Sequence, residues 1–464
     1  MEVFKFGVKG LDELLVNALI EGQLLIIAGH PGAGKTTLVS TICYVNALNG
    51  YKCLYLSLQE SREKLYMNMK RLGIDLEKVE KDGYFKYIKI PLIVTEDAVM
   101  DIFMDTVNKS IEEFRPRIVV VDSITPVLKA TQSSVKARAI LQNFFAELPK
   151  LINGIVVLIA EIPLGKEEVE LGDIEFVSDM IITLKHRVEK GLLTRIMEIR
   201  KSRGSPLTLV EVPFSIREGY GIEAWVSPRL EEIIEIENPL EIPCDSLKEA
   251  LRYINKGDVI YWEYPSYMRS GGIGLLIQLI AVANKLKTLY ISYKHAPSSM
   301  YNILFRLLER HGVGKEVVEY IKSMIIYRGI NPFAYSVSEL NAIENQLIDE
   351  LRPDMVIFHG VEVPMIAEKR LDYYIQLLFN QIVLLKQKGI TIARYSSHIN
   401  NELSNINASL ADVVIKILYD PDKNEPRIHL WRRGGRPVVL TTNDISRCID
   451  EITGFIKLNI RPKN

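Results

Sequence analysis

Short, wholly apolar runs alternate with longer helical patterns through the first half of the chain. Leu24-Leu-Ile-Ile-Ala28, Cys53-Leu-Tyr-Leu-Ser57, Arg117-Ile-Val-Val-Val121 and Ile155-Val-Val-Leu-Ile-Ala160 have the form of strands buried on both faces. The stretch Thr37–Val45 reads as a helix, and Ser61 is placed to cap another that begins Arg-Glu-Lys-Leu-Tyr. This alternation over residues 1–225 predicts an α/β domain, a mostly parallel sheet wrapped by helices.

Residues 226–244 are acidic and punctuated by prolines, the composition of a linker. Beyond them the pattern returns. Gly22, Tyr55 and Ser57 match Gly257, Tyr290 and Ser292 at a separation of 235 residues. Arg115-Pro116 matches Arg352-Pro353 at 237, Asp179 matches Asp412 at 233, and Arg203-Gly204 matches Arg433-Gly434 at 230. The near-constant spacing predicts two tandem copies of one α/β domain, the second (245–464) diverged.

The chemistry sits at the end of the first strand. Gly29-His30-Pro31-Gly32-Ala33-Gly34-Lys35-Thr36, followed by Thr37, is a complete phosphate-binding loop between a strand and a helix. Its glycines let backbone N–H groups turn onto phosphate oxygens, and the helix N-terminus adds its dipole. Lys35 is placed to reach the terminal phosphates, and the Thr36 hydroxyl to ligate Mg²⁺. A nucleoside triphosphate, ATP, with Mg²⁺ is the expected ligand.

Phe6-Gly-Val-Lys-Gly-Leu-Asp-Glu-Leu-Leu15 before the loop, Leu56-Ser-Leu-Gln-Glu-Ser61 after it and Lys201-Ser-Arg-Gly204 resemble the KaiC family of RecA-like ATPases, which includes a two-domain form. The resemblance implies two tandem RecA-like domains. It makes the strand ending in Asp122 the Walker B strand, with that carboxylate on Mg²⁺ beside Thr36. Similar ATPases carry two glutamates after the second strand, the first polarising the attacking water. Here the pair is Gln59-Glu60, so the resemblance implies slow hydrolysis, with Gln59 orienting water or Glu60 acting as base. Lys201 and Arg203 correspond to an element that reaches the neighbouring subunit's γ-phosphate, implying a ring, expected to be a hexamer. Leu207 stands where the family has a histidine.

The second copy lacks this chemistry. Lys35 and Thr36 become Ser270 and Gly271, Gly29 and Gly34 become Tyr264 and Arg269, Asp122 becomes His359, and Gln59-Glu60 become Lys294-His295. A structural or partner-binding pseudo-domain is expected, its partner a regulatory protein. His359 and His295 lack ligand spacing, and Arg432, Arg433 and Arg436 read as a solvated loop.

Composition then narrows the function. With 57 basic and 58 acidic residues the net charge is −1, so nothing global draws the chain to nucleic acid or an anionic membrane. A recombinase-like, DNA-binding ATPase is the competing reading. Against it stands the segment Pro163–Phe176, where Glu167, Glu168, Glu170, Asp173 and Glu175 oppose a lone Lys166 and would repel phosphate. No helix–hairpin–helix region precedes the loop either. A nucleotide-gated interaction or transcription-regulatory module with negligible turnover is the third reading. The four cysteines have no metal-ligand spacing and are expected to be buried thiols rather than a disulfide framework. The N-terminus lacks a signal-like region and no apolar run reaches membrane-spanning length, so a cytoplasmic location is expected.

Overall fold

The computed structural model describes residues 2–90, 96–131, 135–163, 174–189, 191–204, 210–226, 238–268, 271–368, 370–420 and 425–460. The chain divides into two compact units, Met1–Val226 and Ser227–Asn464. Most of the acidic segment Pro163–Phe176, most of the expected linker, and Leu207, Arg269 and Ser270 lie outside the described residues.

The first unit is built on β1 (Leu24–Gly29), β2 (Cys53–Ser57), β3 (Phe85–Lys89), β4 (Ile118–Asp122), β5 (Ile155–Glu161), β6 (Met180–Glu189), β7 (Leu192–Ser202), β8 (Glu211–Arg217) and β9 (Gly221–Ala224). These form one sheet in the order β3-β2-β4-β5-β1-β6-β7-β8-β9. Pairing is parallel from β3 to β6 and antiparallel from β6 to β9.

The central strands are buried along their length because each face packs on its own core. Leu25, Ile27, Tyr55, Val120 and Ile159 join one cluster with Leu38 and Ile42 of the Lys35–Leu48 helix. Leu24, Ile26, Ala28, Val121 and Leu158 join the other. Burial on both faces explains why these strands read as continuous apolar runs instead of alternating ones. The expected α/β fold, mostly parallel and flanked by helices, is observed.

The second unit uses β10 (Val259–Tyr264), β11 (Thr288–Ser292), β12 (Ile325–Gly329), β13 (Met355–His359), β14 (Thr391–Ser397), β15 (Val413–Asp420), β16 (Glu425–Arg432) and β17 (Val438–Leu440). Their order, β12-β11-β13-β14-β10-β15-β16-β17, is that of the first sheet without its last strand.

The repeated residues have matching local jobs. Asp179 accepts from the Leu24 N–H at 2.9 Å, and Asp412 from the Val259 N–H at 2.9 Å, each fixing the start of a central strand. Ser57 Oγ accepts from the Glu60 N–H at 3.1 Å, and Ser292 Oγ from the His295 N–H at 3.0 Å. Arg115 and Arg352, each before a proline, both take positive φ, 50° and 45°. What the repeat retains is the backbone geometry that assembles a sheet.

The cysteine expectation is corrected. All four are buried, as the apolar surroundings of Cys43 and Cys53 indicated, but they form two bonds, Cys43–Cys53 and Cys244–Cys448, with Cα separations of 5.6 and 5.1 Å. Each bond lies within one unit. The first ties the helix after the loop to the start of β2, and the second ties Cys244 to the Thr442–Asn459 helix. Sequence spacing carries no information about such pairs; only the fold brings them together.

The second unit also buries an acid. Glu344 is 3% exposed on the Val337–Leu351 helix, where it accepts from the Tyr293 hydroxyl and from Gln381 Nε2. Burial raises its carboxyl to about 7, opposed by those two hydrogen bonds and by the Arg394 charge.

Two stability predictions result. The Cys244–Cys448 bond spans 204 residues and the Cys43–Cys53 bond spans 10, so loop-closure entropy assigns them about 5 and about 3 kcal/mol. Reduction should therefore lower the melting temperature of the second unit more than that of the first, in calorimetry with and without a phosphine reductant. Equal melting in both states would contradict the pairing. For Glu344, the unfolded chain releases its proton near 4.5 and the folded chain near 7. Stability of the second unit should fall as pH rises through that window, by about 3 kcal/mol in all, and level off above it. Glu344→Gln should flatten that slope, as read by denaturant titration between pH 5 and 8.

Candidate functional site

The loop between β1 and the Lys35–Leu48 helix can fold only because its glycines have no side chains. A Cβ on Gly29 would stand 2.4 Å from the Leu184 carbonyl oxygen, and Gly34 has φ 103° with Ile216 against it. Lys35 Nζ lies back over this loop, donating to the Gly29 and His30 carbonyls at 2.8 and 3.0 Å. Burial lowers its pKa, and the charges of Glu161 and Asp122 oppose that shift.

Sheet register brings the remaining groups to the same end. Ser57, Asp122 and Ile159 are neighbours across β2, β4 and β5, and Glu161 pairs with Gly29 across β5 and β1. Asp122 and Glu161 are each two residues beyond a member of the core that contains the Lys35–Leu48 helix, so both face the helix side. Thr36 Oγ1 donates to Asp122 Oδ2 at 3.2 Å, and the Tyr55 hydroxyl donates to the same oxygen at 2.5 Å. Burial raises the Asp122 pKa, while the Tyr55 and Thr36 bonds and the Lys35 charge oppose it. Tyr55 is itself pushed far up by burial, so it remains a donor.

These groups suit a divalent cation: a hydroxyl and a carboxylate oxygen already touch, and burial leaves the acid short of positive charge. Thr36 and Asp122 are the residues that would hold Mg²⁺.

Gln59 and Glu60 leave β2 at the same end of the sheet. Gln59 Nε2 donates to Ser123 Oγ at 3.4 Å, next to Asp122. Glu60 is half-buried, accepts from Asn68 Nδ2 at 3.4 Å and lies 3.9 Å from Lys64 Nζ. Burial raises its pKa, Lys64 opposes the rise, and the Asp122 charge adds to it.

Lys201 and Arg203 are held elsewhere. Lys201 Nζ donates to the Glu175 carbonyl and Arg203 Nη2 to the Phe176 carbonyl, both at 2.9 Å. Arg203 also sits 3.6 Å from Asp179. In the second unit Arg433 makes the matching bond, Nη2 to the Ser409 carbonyl at 2.7 Å. Both arginines thus satisfy carbonyls at the end of a short helix.

Glu161 was missed in the sequence, although an acid closing a wholly apolar strand was the available signal. At the positions equivalent to these residues the second unit makes contacts of its own. Buried Tyr264 replaces Gly29; Lys294 pairs with Glu362 and donates to Ser397 Oγ at 3.2 Å. His359 shares a 3.1 Å hydrogen bond with Ser292 through Nδ1 and stacks on His295 at 5.5 Å. Burial and the charges of His295 and Lys294 lower His359 to about 3.

Residues 4–228 match the family model described as ATPase: KaiC. Among curated proteins, the circadian clock oscillator protein KaiC of Parathermosynechococcus lividus is 25% identical over 199 residues, covering 43% of this chain and 36% of that protein. The Prochlorococcus marinus KaiC is 26% identical over 199 residues, covering 43% and 38%. That of Rippkaea orientalis is 25% identical over 248 residues, covering 53% and 47%. The chain thus spans less than half the length of these relatives. Together with the loop and its sheet, these matches make the first unit a KaiC-like ATPase domain of the RecA superfamily of P-loop proteins.

Proposed function

We propose that the protein binds one Mg·ATP per chain in the first unit, hydrolyses it slowly, and acts in regulation or signalling through nucleotide-dependent ring assembly. The observation that carries this reading is the Thr36–Asp122 contact beneath an intact loop with its lysine in place.

On this reading Lys35 exchanges the Gly29 and His30 carbonyls for the β- and γ-phosphate oxygens. Thr36 and Asp122 would hold Mg²⁺, which when bound would supply positive charge against the phosphates. Glu60, whose pKa burial has already raised, takes the proton of the attacking water, and Gln59 orients that water from its position on Ser123. Glu161 acts as a positioning residue: its negative charge keeps Lys35 protonated in a buried site. Lys201 and Arg203 release their own carbonyls to reach a neighbour's phosphate, an exchange that favours assembly only when nucleotide is present. The second unit, its crevice occupied by the Lys294–Glu362 pair and two histidines, serves as a structural or partner-binding domain. The local bonds of Lys201 and Arg203 favour one alternative, a nucleotide-gated interaction module with negligible turnover.

Equilibrium titration should give one ATP per chain, and Lys35→Ala should abolish or severely weaken binding; two tight sites would refute the reading of the second unit. Glu60→Gln should cut hydrolysis by ~10²–10⁴-fold with affinity retained, and Gln59→Glu should raise the rate. An unchanged rate in both would reject Glu60 as base. Glu161→Gln should move the alkaline loss of ATP affinity to lower pH, since Lys35 loses the neighbour that sustains its charge. For assembly, native mass with ATP should show a ring, a hexamer in the first instance. Mixing Arg203→Ala with Lys35→Ala chains should restore part of the activity each lacks alone, whereas a monomer at every ATP concentration would refute the trans contact.

A further inference from the structure

The two oxygens of Asp122 are used differently. Oδ2 accepts from Thr36 Oγ1 at 3.2 Å and from the Tyr55 hydroxyl at 2.5 Å, which fills both of its lone-pair sites. Oδ1 accepts from none of the described residues and stays open to solvent. Nothing in an aspartate itself decides which oxygen turns to which neighbour, because its last torsion is broad and roughly two-fold.

Of the two donors, Tyr55 is the one fixed without help from the loop. It is fully buried in the middle of β2, opposite Val120 of β4 on one side and Tyr87 of β3 on the other. Its ring packs against Phe85 and Tyr87, with centroids 6.1 Å away in each case. Tyr87 is pinned in turn, its hydroxyl donating to the Glu60 carbonyl at 2.5 Å. Burial keeps the Tyr55 phenol neutral, so it presents a proton to the carboxylate and never a phenolate to a metal.

The second unit separates the ring from the hydroxyl. Tyr290 stands where Tyr55 does, equally buried, and packs on Tyr327 with centroids at 5.1 Å. It lies beside His359, at 5.8 Å, where Tyr55 meets Asp122. Aromatic packing is therefore common to both units, and the bond to a carboxylate is made by Tyr55.

We infer that Tyr55 is a positioning residue that sets which divalent cation the site prefers: by holding Asp122 Oδ2 it leaves one oxygen, Oδ1, for the ion or its water shell. The inference rests on the assignment of Thr36 and Asp122 to the metal. A carboxylate that offers one oxygen suits Mg²⁺, whose near-octahedral shell keeps several waters. Ca²⁺ takes roughly six to eight oxygens and gains from a carboxylate that binds through both. With Oδ2 occupied, that gain is denied. Selectivity for Mg²⁺ over Ca²⁺ then comes from a side chain that never touches the ion.

Tyr55→Phe removes the hydroxyl and keeps the ring. The ATP affinity of the full chain, by equilibrium titration, is compared with saturating Mg²⁺, with saturating Ca²⁺ and with chelator. The wild type should gain more affinity from Mg²⁺ than from Ca²⁺. In Tyr55→Phe the ratio of the two gains should fall toward one, while affinity for metal-free ATP stays unchanged. Tyr290→Phe, the same change in the second unit, should leave all three affinities as they are. A purely structural role for the hydroxyl would instead weaken all three affinities of Tyr55→Phe together. That result, or an unchanged ratio, overturns the inference and leaves Thr36 and Asp122 as metal residues. No metal dependence in the wild type overturns that assignment as well. Should Tyr55→Phe fail to fold, the wild-type ratio decides, since equal gains from the two ions contradict the inference.

Discussion

The hydrogen bond between Thr36 and Asp122 is the contact on which the site depends, because it joins the loop to the strand that, on the proposed reading, would share a metal with it. Neither residue can be placed alone. Thr36 is fixed by the helix that begins at Lys35, and Asp122 by the parallel pairing of β4 with β2 and β5. Tyr55 completes the junction from β2, donating to the same Asp122 oxygen as Thr36. Parallel register, set by two buried cores, thus delivers Gly29, Ser57, Asp122 and Glu161 to one end of one sheet, where ligands of open α/β sheets bind.

The two units separate what a fold needs from what a reaction needs. Asp179 and Asp412, Ser57 and Ser292, Arg115 and Arg352, and Arg203 and Arg433 make equivalent bonds or turns in both. All of them satisfy backbone groups or set backbone direction, tasks that remain when nucleotide chemistry is gone. The substituted residues are those that the proposed function assigns to phosphate and metal. Lys294 pairs with Glu362, and His359 stacks on His295. Such internal pairing satisfies buried polar groups without a ligand.

The loop, the strands around it and Asp122 were legible because each is a short run whose chemistry and pattern are local. Strand order was not legible, since neither periodicity nor the repeat says which strands are neighbours. Glu161 was not legible: its effect on Lys35 comes from a register between strands far apart in sequence. The cysteine pairs escaped for the same reason. Lys201 and Arg203 show a different limit. Their spacing marked them as a cationic pair, but the carbonyls that engage them belong to a four-residue helix that no sequence pattern announced.

Magnesium dependence of ATP affinity tests the central claim most directly, because the Thr36–Asp122 junction is assigned to the metal and the loop to the phosphates. Affinity should be measured with Mg²⁺ and with chelator present, in the wild-type chain and in Asp122→Asn. The account predicts that Mg²⁺ tightens binding to the wild type and that the variant loses most of this gain while still binding metal-free nucleotide. Equal magnesium dependence in the two proteins would contradict it.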